Sequence, residues 1–155
     1  MGSNSDLPKI QKCIDTLKTL GIETVVRVMS AHRTPDVVAD FTEHAAENGF
    51  GVIIAAAGGA AHLAGAVAAH TLLPVIGIPV EGGALNGLDA LLSTVQMPGG
   101  IPVATVGIGS GGATNAALLA AEILAVSDPE LRKKLASERA GRREKVLAAD
   151  AELQP

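Results

Sequence analysis

The sequence predicts an α/β protein, with a parallel sheet covered on both faces by helices. Three observations carry that reading. Short apolar runs alternate with amphipathic stretches along a chain of 155 residues, the pattern of strand–helix–strand units. Hydrophobic residues make up 48%, so a sizeable core is within reach and disorder is not expected. Only Phe41 and Phe50 are aromatic, so the core is built from Ala, Val, Ile and Leu and from close backbone approach at the 18 glycines. That palette suits helices laid tightly on a sheet. The length fits one domain, and with no internal repeat, linker or low-complexity segment, residues 1–155 are read as a single domain.

The elements follow in order. Lys9 to Leu20 is an amphipathic helix with Ile10, Cys13, Ile14, Leu17 and Leu20 on one stripe, stopped by Gly21. Ile22 to Met29 is rich in β-branched residues and reads as a strand. Thr34 before Pro35 is an N-cap with proline at the first helical position, opening a helix to Asn48 that Gly49 ends. Gly51 to Ala57 is an apolar run typical of a strand buried on both faces. A small-residue loop and a helix to about His70 follow, then a strand from Pro74 to Val80. Leu88 to Met97 is a helix with Leu88, Leu91, Leu92 and Val95 inward, broken by Pro98-Gly99-Gly100. Ile101 to Ile108 is a further strand, and a glycine-rich loop leads into an Ala-rich helix from about Ala113 to Leu124. Ser127 and Glu130 form a capping box around Pro129 for a last, charged helix to about residue 149. That helix is read as serving assembly, with a merely solvated helix as the other reading.

The charge pattern narrows the function. Twelve basic and sixteen acidic residues give a net charge of −4, unlike the basic footprint of a nucleic-acid binder. No Lys or Arg stands between Arg33 and Arg132, so the middle of the chain offers no cation for a polyphosphate. Cys13 is the only cysteine, and its apolar helical position indicates a buried thiol. No basic region followed by an apolar run opens the sequence, and no stretch of 18 apolar residues is uninterrupted. A cytoplasmic protein without membrane contact is expected. No His/Cys/Asp/Glu cluster has metal-ligand spacing, and neither a phosphate-loop lysine nor a dinucleotide fingerprint is present. No metal or cofactor is therefore expected.

Ligands of open α/β sheets bind beyond the carboxyl ends of the strands, and four loops there carry chemistry. Gly2 to Asp6 places glycine, the hydroxyls of Ser3 and Ser5 and the Asp6 carboxylate before a helix N-terminus. That arrangement favours a phosphate on the backbone N–H groups, with Asp6 better suited to sugar hydroxyls, or it is a plain N-cap turn. Ser30, His32 and Arg33 stand within four residues at a strand end, where a hydroxyl, an imidazole and a guanidinium have no packing purpose. The imidazole titrates near neutral pH and both gives and takes protons, and the guanidinium fork matches a monophosphate or carboxylate. The loop from Gly58 to Gly65 is nearly bare of side chains, so a ligand can approach its backbone; His62 there lines a pocket or caps local backbone. Gly109 to Thr114 reads as a tight turn with close helix–sheet packing. His44 and His70 read as surface or satisfied residues.

The segments MGSNSD (1–6), MSAHRTPD (29–36), AGGAAHLAG (57–65), PVIGIPV (74–80), LLSTVQMPGGIPVAT (91–105) and NAALLAAEIL (115–124), in this order, resemble the N5-carboxyaminoimidazole ribonucleotide mutase family. They extend from the first residue to the final helix, and the stretch around His32 with the downstream QMP–GIPVAT run is the most specific part. The resemblance implies a flavodoxin-like three-layer fold, a homo-octamer, and migration of a carboxyl group to ring carbon C4 of a ribonucleotide in purine biosynthesis. It implies His32 as general acid/base. Ser3, Asp6 and Arg33 would hold the ribonucleotide with Ser5 and Ser30 beside them, and Ala57, Gly58, Gly59, His62 and Leu63 would line the pocket for the ring and the migrating carboxyl. Ala64 stands where the family usually carries proline, which removes no reacting group.

In that fold the loop at Gly2 to Asp6 follows a strand lying between the two that come next in sequence, and no such strand precedes it here. The expectation is that the natural protein begins earlier, with an apolar strand of roughly five or six residues that Met1 ends as an internal residue. Two other readings compete. A related carboxylase takes free CO2 and aminoimidazole ribonucleotide to the same product, but its His-Arg-Thr-Pro and GGAAHL segments are altered and both are intact here. A non-enzymatic flavodoxin-like module would need aromatics for a flavin, or an acidic cluster with a late lysine for a phospho-receiver. No lysine lies between Lys18 and Lys133.

Overall fold

In the computed structural model, which describes residues 1–154, helices α1 (Leu7–Leu20), α2 (Pro35–Glu43), α3 (Leu63–Ala69), α4 (Leu88–Val95), α5 (Gly109–Leu124) and α6 (Pro129–Ala151) surround strands β1 (Ile53–Gly58), β2 (Val75–Val80) and β3 (Ala104–Thr105). The strands are parallel in the order β1-β2-β3, with Ile53 opposite Val75 and Gly77 opposite Thr105. Every residue of β2 is buried, as expected for a central parallel strand covered on both faces.

Alternation along the strands sends side chains into two layers. Ala56, Ile76, Ile78 and Val80 pack with Ile10, Cys13 and Leu17 of α1 and the alanine face of α5. Ala55 and Val75 pack on the opposite side with Val38 of α2 and Leu63, Ala64 and Val67 of α3. Burial pushes the Cys13 thiol up to about 11, so it stays protonated at neutral pH. The three layers are those of a flavodoxin-like fold.

The chain start sits between β1 and the segment 22–29. The Met1 ammonium donates to the Arg27 carbonyl at 2.9 Å, the Met29 N–H donates to the Met1 carbonyl at 2.9 Å, and the Gly2 N–H donates to Ala56 at 3.0 Å. Beyond Met1 lies an apolar cavity of about 270 Å³, lined by Ile10, Leu17, Val25, Met29, Ile54 and Ala56 among others.

That slot explains the first correction. Residues 22–29 form no strand, and Val25, Val26 and Val28 are exposed; Met1 bonds to the segment only at Arg27 and Met29. Similarly β1 is fully buried only at Ala55 and Ala56 rather than along both faces. The expected strand at 101–108 shrinks to Ala104–Thr105, since Pro102 cannot donate to a ladder and Ile101 turns back to Pro98. Three strands result where the sequence pointed to four.

Helix boundaries differ too. α2 ends at Glu43 and continues to Gly49 as turns tightened by bonds such as Ala45 N–H to Thr42 O. The α4 stripe is rotated from expectation: Ala90 and Thr94 are buried, while Leu88, Leu92 and Val95 are half-exposed. α5 starts at Gly109, so the glycine run is its first turn rather than a loop. The α6 cap is Asp128, whose carboxylate accepts the Glu130 and Leu131 N–H groups at 3.0 Å, and not Ser127.

The slot yields a stability prediction. Five alternating Val and Ile residues fused ahead of Met1 add ladder bonds of roughly 0.5–1.5 kcal/mol each and apolar burial of about 1.5–3 kcal/mol per side chain. Backbone ordering opposes this by about 1–2 kcal/mol per residue. The fusion also removes the Met1 ammonium, whose pKa desolvation lowers. At about 2–4 °C per kcal/mol for a chain of this size, Tm rises by roughly 5–10 °C in scanning calorimetry. An unchanged Tm would mean that the slot accepts no strand.

Candidate active site

Three backbone segments meet at the carboxyl end of β1: the opening turn 1–6, the loop 30–34 and the loop 58–62. Each is shaped by its own hydrogen bonds. Asn4–Asp6 forms one 3₁₀ turn closed by a capping box, in which the Ser3 hydroxyl accepts the Ser5 N–H at 3.3 Å and the Asp6 carboxylate accepts the Ser3 N–H at 3.1 Å. The plain N-cap reading of this turn is thus present in the structure, and Asp6 Oδ2 is already engaged. Ser5 does not line the cavity described below, and its hydroxyl donates to the Ser3 hydroxyl at 2.8 Å.

The second loop is closed by Thr34. Its hydroxyl accepts the Ser30 N–H at 2.9 Å instead of capping α2, as the sequence had implied. Ser30 Oγ in turn accepts the Arg33 N–H at 3.2 Å, with the His32 N–H and Arg33 Nε farther off at 3.4 Å. Arg33 Nη2 donates to the Gly2 carbonyl at 2.9 Å. The guanidinium therefore bridges the first two loops and keeps its fork at their junction.

The third loop sets His62 against His32. Nε2 of His32 and Nδ1 of His62 lie 2.7 Å apart, with the rings edge-to-face at 82°. One nitrogen must donate and the other accept, so a single proton is shared between two exposed imidazoles. Gly59 supports the turn with φ of +63°.

Together these segments enclose a cavity of about 380 Å³, within the range of small-molecule sites. Of the residues singled out in the sequence, Ser3, Asp6, Ser30, His32, Arg33, Ala57, Gly58, His62 and Leu63 line it, and Ser5 and Gly59 do not. Gly2, Ala31 and Ala60 line it as well; Gly2 and Ala60 belong to the loops already singled out, whereas Ala31 gave no signal of its own. Another contact that sequence reasoning missed is Ser93, on α4, which bonds the third loop.

The other histidines sit apart. His44 Nδ1 lies 2.8 Å from the Asp40 carbonyl, and that bond, with the nearby Asp40 carboxylate, raises its pKa. His70 pairs with Glu43 at 3.0 Å. Among the described residues no group of three or more His, Cys, Asp or Glu is placed to hold a metal ion, and no helix is long and apolar enough to cross a membrane.

Comparison with known proteins places this geometry. The AIR carboxylase family model matches residues 1–145. N5-carboxyaminoimidazole ribonucleotide mutase of Bacillus subtilis is 52% identical over 153 residues, 99% of this chain and 94% of that protein. The mutase of Escherichia coli K12 is 54% identical over 147 residues, 95% of this chain and 87% of that protein. The crystal structure of Treponema denticola PurE superposes with a TM-score of 0.88 at 31% identity, covering 100% of this chain and 96% of that one. The chain belongs to the AIR carboxylase family, on the side of it shared with proteins named N5-carboxyaminoimidazole ribonucleotide mutase.

Proposed function

We propose that the protein converts N5-carboxyaminoimidazole ribonucleotide to 4-carboxy-5-aminoimidazole ribonucleotide in purine biosynthesis. The observation that carries this reading is His32 at the wall of a cavity whose other walls are a guanidinium, a hydroxyl-bearing helix start and a nearly bare backbone loop. Curated relatives sharing half or more of the sequence bear the name of this activity.

The residues divide the work by their chemistry. Arg33 and the Ser3 hydroxyl bind the phosphate, aided by N–H groups at the opening of the first helix. Asp6 keeps one oxygen on the Ser3 amide and offers the other to ribose hydroxyls. Ser30 holds Arg33 in place. Ala57, Gly58 and Leu63 shape a small compartment for the ring. Protonated His32 gives its proton to the exocyclic nitrogen, the N–C bond breaks, and CO2 is released into that compartment with the bonding pair left on nitrogen. The electron-rich C4 then attacks CO2, and neutral His32 removes the C4 proton to restore aromaticity. The proton returns to its donor and the reaction is a net isomerisation. Holding CO2 beside C4 is a proximity effect.

The same reading makes the protein a cytoplasmic homo-oligomer, in keeping with the octamer that the resemblance implies. Half-exposed Leu88, Leu92 and Val95 on α4 offer apolar surface to a second copy. The direct test mixes purified protein with N5-carboxyaminoimidazole ribonucleotide and a chelator and follows the absorbance of the C4-carboxylated product. Product is expected without added nucleoside triphosphate, metal or cofactor, and its absence would contradict the proposal.

Arg33→Lys tests the phosphate role. A bidentate fork becomes a point charge and the bridge to Gly2 is lost. Calorimetry with a ribonucleotide monophosphate is expected to show affinity lowered by about tenfold, on the order of one charge-assisted hydrogen bond, and falling further as salt rises. Unchanged affinity at both low and high salt would remove Arg33 from the site.

A further inference from the structure

His62 must be held against His32 by a loop that carries no polar side chain of its own between Ala57 and Ala61. The anchor is on α4. Ser93 Oγ accepts the Ala61 N–H at 3.1 Å, a donor it shares with the Gly59 carbonyl at 2.8 Å, and lies 3.2 Å from that same carbonyl, so it ties both ends of the turn to α4. Its own proton has the Asp89 carbonyl at 2.6 Å as nearest acceptor, the back-bond usual for a helical serine. A solvent-facing serine would stop there. Ser93 adds a bond to a loop 32 residues away, one residue before His62.

The helix that carries Ser93 is fixed to the sheet at the very next position. Thr94 is 2% exposed, and its hydroxyl donates to the Ala90 carbonyl at 2.7 Å. Its methyl sits so close to Gly77 of β2 that a Cβ there would lie 2.3 Å away. Thr105 Oγ1 donates to the Thr94 carbonyl at 3.3 Å. By contrast, a Cβ on Gly59 would meet nothing within 4 Å. The loop tip is thus unsupported on its outer side and tied on its inner side to a rigid helix.

We propose that Ser93 is a positioning residue for proton transfer: it fixes Ala61, and through Ala61 sets His62 at hydrogen-bond distance from His32. The inference rests on the proton-transfer role given to His32 above. A misplacement of about 1 Å at a reacting group costs up to ~10²-fold in rate, so a tether of this kind acts on turnover and not on substrate affinity.

Ser93→Ala and Ser93→Thr in the full chain test it. In Ser93→Ala, kcat is expected to fall by about tenfold or more, while KM changes by less than about threefold because Ser3, Asp6 and Arg33 are untouched. Hydrogen exchange at the Ala61 amide is expected to accelerate, and Ser93→Thr, which keeps the hydroxyl, restores both readings. Should Ser93→Ala lose cooperative melting, Ser93→Cys, of similar size and weaker hydrogen bonding, is read on the same scales. Wild-type kcat in the variant, or an unchanged Ala61 exchange rate, overturns the proposal. The Ala61 measurement and the coupling between the His32 and His62 imidazole resonances need no substrate. If the unmodified protein shows no mutase turnover, the functional reading fails separately, while those two readouts still decide whether Ser93 holds the loop.

Discussion

His32→Asn abolishes turnover and leaves substrate binding largely intact. Asparagine keeps a comparable shape and one hydrogen-bonding group but cannot carry a proton between the exocyclic nitrogen and C4. General acid–base catalysis contributes roughly 10²–10⁴-fold per step, and this reaction uses the same group twice. A fall in kcat of at least ~10²-fold is therefore expected, with binding of a ribonucleotide monophosphate within a few-fold of the unmodified protein, because Arg33 and Ser3 remain. His62 does not substitute. Its Nδ1 faces His32 at 2.7 Å, so in the variant it meets an amide, which hydrogen-bonds but neither takes up nor releases a proton near neutral pH. Single-turnover kinetics check this, and a variant retaining more than about a tenth of normal activity would take His32 out of the mechanism, since that lies above the weakest effect acid–base catalysis produces.

Gly112→Ala is the largest expected loss of stability. A Cβ at this position would lie 1.6 Å from the Gly107 carbonyl oxygen and 2.5 Å from its carbon. Both are backbone atoms, so no rotamer change relieves the overlap. The first turn of α5 must move off the end of β3, and with it Ala113, Ala116 and Ala117, which are 0% exposed against α1 and the sheet. Overpacking costs about 1–3 kcal/mol where side chains can yield, and here the upper end applies because backbone must yield. Against a domain stability of ~5–15 kcal/mol, the urea midpoint is expected to fall by a fifth or more. Gly111→Ala, one residue away with nothing within 4 Å of its Cβ, serves as the control and is expected to leave the midpoint nearly unchanged. Equal midpoints for the two would mean that the close approach at Gly107 is not a constraint.

The layered architecture was readable because its signals are local. The α1 stripe, the apolar run of β2 and the stop at Gly21, whose φ is +75°, each depend on a few neighbouring residues. What failed depended on partners distant in sequence. The 22–29 segment has strand composition yet no ladder, because a ladder needs a partner strand and Met1 alone bonds to it, at Arg27 and Met29. α4 was read with its leucines inward since they form the apolar stripe, but the sheet accepts only the thinner Ala90 and Thr94 face beside Gly77. The site shows the same division. Ser30, His32 and Arg33 announce chemistry within four residues, and the structure brings them to one cavity with Ser3, Asp6 and His62. Ser5 shares their composition but sits on the turn between Ser3 and Asp6 without lining the cavity, its hydroxyl spent on the Ser3 hydroxyl. Ser93 could not be found from pattern, because its only distinguishing feature is a bond to a loop 32 residues earlier.

The central claim is that the carboxyl group released from nitrogen is the one that reaches C4, within the site and through His32. Incubating the protein with unlabelled N5-carboxyaminoimidazole ribonucleotide in buffer enriched in 13C-bicarbonate tests it most directly, with the product read by mass spectrometry. The account predicts an unlabelled C4 carboxylate formed at a rate independent of bicarbonate. Incorporation of 13C to the level of the buffer, or turnover only when aminoimidazole ribonucleotide and bicarbonate are both supplied, would contradict it.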